Sequence, residues 1–153
     1  MDKKRIVYMG SDHAGFEVKE KLRAFLDKKK VAYVDMGPFF YNKKDDYPDF
    51  AFKVAEKVST KENARGILIC GAGAGMTIAA NKVRGIRAVA AYDVYSAKMS
   101  RIDNDTNVLG LRGRNFPFDK MKKIVSTWLE TEFSKAERHV RRIRKISYYE
   151  NGK

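Results

Sequence analysis

The chain has 153 residues, of which 44% are hydrophobic and 33% charged, with a formal net charge of +13. That length and balance fit one globular domain spanning 1–153 and exclude a disordered chain. No window approaches the ~18 consecutive apolar residues of a membrane span, and the opening MDKKRIVYMGSDHAGF has no secretory pattern, so a cytoplasmic location and no membrane partner are expected.

Arg5–Met9 is a short apolar run ending at Gly10, which predicts a buried strand. Ser11-Asp12-His13 then reads as a turn. Phe16, Leu22, Phe25 and Leu26 recur at helical spacing and predict an amphipathic helix over Phe16–Lys29. A second strand is expected over Val31–Met36, closed by Gly37-Pro38. The loop Phe39–Pro48 leads to a helix over Asp49–Ser59. Gly66–Cys70 (GILIC) is uninterrupted apolar sequence, the pattern of a central parallel strand covered on both faces. A glycine-alternating loop follows at 71–75, and a helix over Met76–Lys82. Ile86–Ala91 and Val108–Leu111 are further strands, with a short helix, Ser96–Ile102, between them. Phe118–Phe133 is a long amphipathic helix, and Glu137–Glu150 a final basic one, expected at a subunit interface.

Strands alternate with helices throughout. The expected fold is therefore α/β: a Rossmann-like, doubly wound three-layer sandwich around a parallel sheet of about five strands. Such sheets bind ligands at the carboxyl ends of their strands, near a topological switch point. Ser11–His13, Cys70–Gly75, Asp103–Asn107 and Arg112–Arg114 are expected to share that end.

The strongest local signal is ICGAGAGM at 69–76. Glycine at every second place leaves backbone N–H groups unhindered, which suits an anion. Neither a Walker A nor a dinucleotide fingerprint is present. The loop follows the chain's one cysteine, Cys70, which a helix start would bias towards thiolate chemistry. A buried, inert Cys70 is the competing reading. Asp12 beside His13 can orient an imidazole, or simply cap a helix. Arg138 and Arg142 lie four apart on one helix face and could grip a phosphate with paired forks, or form a solvated basic face. Arg114 is a further phosphate candidate. The remaining basic residues are scattered, without a recognition motif, so solvated surface plus a local phosphate site is favoured over nucleic acid. One Cys and two His offer no tetrahedral metal set, so no metal is expected.

Several motifs together resemble the ribose-5-phosphate isomerase B family, which includes the galactose-6-phosphate isomerase subunits. They are SDHAGFEVKEKL at 11–22, DDYPDFA at 45–51, GILICGAGAGM at 66–76, IAANKVRGIRA at 78–88, YSAK at 95–98, NDTNVL at 104–109 and RHVRRIRKI at 138–146. The resemblance runs nearly end to end and is stronger to the pentose phosphate branch. It implies a cofactor-free aldose–ketose isomerisation through an enediol(ate), with Cys70 moving the proton from C2 to C1. Gly71, Gly73, Ala74 and Gly75 would supply N–H groups to the enediolate oxygen. Asp12, Tyr47 and Asn104 match sugar-contacting positions. His13, Arg114, Arg138 and Arg142 match phosphate-binding positions, with His139 beside them. A homodimer or homotetramer with sites shared between subunits is implied.

Three places depart from the family pattern. Asp103 stands where a ring-opening His is usual, Ala72 where Thr or Ser is usual, and Ala-Glu-Arg-His at 136–139 replaces Gly-Gly-Arg-His. Asp103 is thus a candidate acid/base beside Cys70 and Asp12, with His13 or His139 as substitutes. Two alternatives stay open at this stage. One is an isomerase for another phosphorylated aldose, such as a hexose 6-phosphate. The other is a homologue that binds sugar phosphate or nucleic acid without catalysis.

Overall fold

A computed structural model describes residues 5–152. The first four residues of the opening segment lie outside it. Five strands form one parallel sheet in the order β2-β1-β3-β5-β4. They are β1 (Ile6–Ser11), β2 (Tyr33–Asp35), β3 (Ala64–Cys70), β4 (Ala88–Ala90) and β5 (Val108–Arg112). Six helices connect and follow them: α1 (Phe16–Lys28), α2 (Tyr47–Ser59), α3 (Ala74–Ala80), α4 (Val94–Asn104), α5 (Phe118–Glu130) and α6 (Glu137–Glu150). A 3-10 turn, His13–Gly15, joins β1 to α1.

Strand alternation builds two cores, one per face. Val7, Met9, Ile67, Ile69, Leu109 and Leu111 point to one side, against Leu22, Leu26 and the α5 face that carries Trp128. Tyr8, Leu68, Cys70 and Val108 point to the other side, against Val54 of α2 and Met76 of α3. The doubly wound sandwich expected from the sequence is therefore the architecture found. Truncating a fully buried Leu, Ile or Met of these cores to Ala would cost about 2–5 kcal/mol.

Element ends differ from expectation for local reasons. The second helix begins at Tyr47, two residues early, because Pro48 fits the first helical turn, where no N–H acceptor is needed. The third helix begins at Ala74, since Gly73 takes a left-handed φ of +81° and turns the chain directly into it. The strand before α4 narrows to Ala88–Ala90, and α4 lengthens to begin at Val94, where Asp93 caps it by accepting from the Ser96 N–H at 2.7 Å.

β1 leads outward to β2, whereas β3 leads the other way, so the switch point lies between the adjacent strands β1 and β3. Ser11 pairs in register with Ile69, and Cys70 with Arg112. Ser11–His13, Cys70–Gly75 and Arg112–Arg114 thus share the carboxyl end of the sheet, as expected. Asp103–Asn107 does not. Asp103 and Asn104 close α4, and Asn107 immediately precedes β5. A segment that enters a strand stands at its amino end, so this turn lies at the opposite end of the sheet from Cys70.

Candidate active site

Cys70 ends β3 with its side chain facing α2 and α3 and is 5% exposed. The sulfur is not sealed by apolar groups alone, because Sγ accepts the Gly73 N–H at 3.2 Å. The loop that does this is closely packed. A Cβ on Gly73 would come within 3.0 Å of the Leu111 carbonyl carbon, so only glycine lets the loop settle against β5. Gly113 N–H donates to the Cys70 carbonyl at 2.8 Å and Arg114 N–H to that of Gly71 at 3.2 Å, fastening the β5 exit to the loop.

Around the thiol the chain arranges polar groups from four places. Asp12 N–H donates to the Ile69 carbonyl at 3.2 Å, which fixes the β1 exit beside β3. The Asp12 carboxylate is buried and accepts the Gly15 N–H at 3.0 Å. Burial raises its pKa above the ordinary value. The Gly15 N–H and the His13 charge oppose that rise, and Asp45 adds to it. His13 Nδ1 lies 2.7 Å from Asp45 Oδ1. Tyr47, at the start of α2, lays its ring against Gly75, where a Cβ would come within 2.8 Å of it. Arg114 is exposed and lies across Gly71, its Nη1 3.2 Å from the place of a Cβ there. One chain therefore brings together Asp12, His13, Tyr47, Cys70, the loop 71–75 and Arg114.

The other candidates form a second group. His139 is buried at the start of α6, with Nδ1 2.7 Å from Ser134 Oγ and Nε2 3.4 Å from Asp103 Oδ1. Asn104, Arg138 and Arg142 are exposed near it, on α4 and α6. α6 packs against α4, at the amino side of the sheet. Asp103, Asn104, Arg138, His139 and Arg142 thus stand apart from Cys70 within one copy.

Two features escaped the sequence. Asp45 sits in an irregular loop 32 residues from His13, and no local pattern marks that pairing. Asp12, His13 and Asp45 also bring one cation-ligand atom each within 4.8 Å of one another. Asp12 Oδ1 and His13 Nδ1 are already engaged in hydrogen bonds, so a metal is not assigned to them.

A doubly wound α/β chain with a thiol and an N–H-rich loop at its switch point belongs to the class of proteins that act on small anionic substrates there. More particularly, the chain belongs to the ribose/galactose isomerase family, whose model matches residues 7–146. The ribose-5-phosphate isomerase B of Escherichia coli is 42% identical over 147 residues, covering 96% of this chain and 97% of the relative. Among solved structures, ribose-5-phosphate isomerase B of Clostridium thermocellum is 45% identical with a TM-score of 0.91, over 96% of this chain and 98% of that one. That of Mycoplasma genitalium, with bound ribulose-5-phosphate, is 40% identical with a TM-score of 0.92, over 97% of each chain. The chain is accordingly an isomerase. No described helix is long and apolar enough to cross a membrane.

Proposed function

We propose that the chain interconverts ribose 5-phosphate and ribulose 5-phosphate in the cytoplasm, without a cofactor, using Cys70 as the base. The observation that carries this reading is the position of Cys70 Sγ, which accepts the Gly73 N–H at 3.2 Å at the head of the glycine loop. The ligand named for the Mycoplasma genitalium relative supports the choice of substrate.

The Cys70 thiolate takes the proton from C2 of the open-chain aldose. The C–H electron pair becomes the C1–C2 double bond, and negative charge builds on O1. N–H groups of the loop 71–75 donate to that oxyanion, each worth roughly 3–4 kcal/mol. The thiol then returns the proton to C1, while the proton on O2 passes to O1 and C2 becomes the carbonyl. Asp12 and Tyr47 hold the sugar, and Arg114 and His13 the phosphate, which keeps C2 in line with the sulfur.

Two copies complete the site in this reading, the second contributing Asp103, Asn104, Arg138, His139 and Arg142. α6 supports it. Of its fourteen residues only His139 is buried, while Ile146, Tyr148 and Tyr149 are 55%, 63% and 83% exposed. A helix left so open, with apolar side chains outward, fits a partner surface of the same chain.

The test is proton exchange at C2 of ribose 5-phosphate in D2O, read by proton NMR. Cys70→Ala should lower exchange and turnover by about 10²–10⁴-fold, the range for a general base. Undiminished exchange would remove Cys70 from the mechanism. A clear preference for a hexose 6-phosphate over the pentose in kcat/KM would overturn the substrate.

A further inference from the structure

At the opposite end of the sheet from Cys70, beside the amino ends of β3, β4 and β5, lies a cleft of about 670 Å3. Five cationic side chains and three carboxylates line it. Two of the carboxylates are committed to other arginines. Asp105 is shared, with Arg101 at 2.8 Å on one oxygen and Arg87 at 3.1 Å on the other. Glu132 is held by Arg5 at 2.5 Å. Arg65 is left over. Its Nη1 reaches only the carbonyl of its neighbour Ala64, at 3.3 Å, and its buried Nε has no partner. No carboxylate forms an ion pair with it among the described residues.

Such a grouping is costly without a counter-charge. Burial, together with the charges of Arg101 and Arg5, lowers the Arg65 pKa to about 10, and the more distant Asp105 and Glu132 offset only part of that. Asn63, Asp105 and Lys135 line the cleft with left-handed φ of 63°, 46° and 55°. The cations in and around the cleft outnumber its carboxylates, and a half-buried guanidinium fork matches phosphate oxygens.

We infer that this cleft is a second anion site, separate from the isomerase centre, that takes a dianionic phosphate group through Arg65, with Lys61 and Lys135 at its rim. The group is borne by a small phosphomonoester or is free inorganic phosphate. No residue of the cleft belongs to the proposed catalytic machinery, so this site stands or falls independently of the isomerisation mechanism.

The experiment is a titration of the full-length, 15N-labelled protein, followed by amide shifts. One arm uses inorganic phosphate and a second uses glycerol 3-phosphate. Two sets of shifts are expected, one at His13 and Arg114 and one at Asn63, Arg65 and Lys135. Arg65→Gln should abolish the second set or weaken it at least tenfold, while leaving the first set and the turnover of ribose 5-phosphate intact. Lys61→Gln with Lys135→Gln, both at exposed positions, should weaken the second set severalfold and serves should Arg65→Gln not fold. Tighter binding of glycerol 3-phosphate assigns the site to phosphomonoesters; equal binding assigns it to free phosphate. Shifts confined to His13 and Arg114, or a second set unmoved by these substitutions, would overturn the site.

Discussion

A single carboxylate oxygen, Asp45 Oδ1, receives both the backbone N–H of His13 at 3.0 Å and its ring Nδ1 at 2.7 Å. Two contacts to one oxygen fix the backbone and the χ angles of His13 together. The ring then has one orientation, with Nε2 turned away from Asp45. In the proposed mechanism that nitrogen meets the substrate phosphate. Asp45→Ala frees the ring and removes a charge-assisted hydrogen bond worth about 1.5–3 kcal/mol. The KM for ribose 5-phosphate should rise about 10- to 100-fold, with a smaller change in kcat, because binding is lost before chemistry is touched. An unchanged KM in steady-state kinetics would show that His13 needs no such anchor.

Asp12 sets the acid side of the pH profile. Its carboxylate is the form that accepts sugar hydroxyls, and its pKa lies above the usual 3.8, chiefly through burial. As pH falls, the acceptor is lost earlier than for an ordinary aspartate, so the acid limb of kcat/KM should lie above 3.8. Asp12→Asn should lower kcat/KM and remove that limb. Stability should move the other way. A raised folded-state pKa means that the contribution of this group is present below the unfolded pKa and is lost as pH rises through the folded one. At pH 7 the ionised Asp12 therefore costs stability, and Asn keeps an oxygen for the Gly15 N–H. Calorimetry should give Asp12→Asn an equal or higher Tm at pH 7, and a lower one would contradict the burial argument.

The parts of the fold that were legible in the sequence were those with a local cause. Apolar runs such as GILIC, the glycine loop and the amphipathic periodicity of α5 each carry their own signal. What escaped depends on contacts distant in sequence. Asp103–Asn107 reads as another polar turn, and only strand direction reveals that it enters β5 from the amino end. Lys19 sits in a helix where a lysine normally faces water, yet it is fully buried. Its placement is decided by Asp35 of β2, sixteen residues on, whose oxygens it meets at 2.7 and 2.8 Å. The pairing of His13 with Asp45 is of the same kind, as is that of Trp128 Nε1 with Thr106 Oγ1 at 2.9 Å.

Lys19 makes the third prediction. Its ammonium also donates to the Pro38 carbonyl at 2.8 Å, and the neighbouring Gly37 carbonyl accepts the Ser11 N–H at 3.1 Å. The ion pair thus holds the loop after β2 against the β1 exit, where Asp12 begins. Lys19→Met leaves a largely buried Asp35 without its main partner, a loss of about 3–5 kcal/mol for a broken buried pair. Arg23, 3.4 Å from Asp35 Oδ2, offsets part of that. Urea unfolding should show a loss near the lower end of this range, and the variant should also lose activity through a displaced Asp12. A loss below about 1 kcal/mol would place the pair among weak surface bridges.

The separation of Cys70 from Arg142 within one copy gives the most direct test of assembly. Each isomerase centre, in the proposed reading, takes its thiol from one chain and its α6 arginines from another. Cys70→Ala and Arg142→Gln proteins should each be nearly inactive alone. When the two are unfolded together and refolded, half of the dimers are mixed. A mixed dimer carries one centre with both defects and one with neither. Activity should therefore return to about a quarter of the wild-type level, a consequence of two-fold symmetry rather than of any repaired residue. Were both groups to serve the same copy, each centre would keep one defect and mixing would restore nothing.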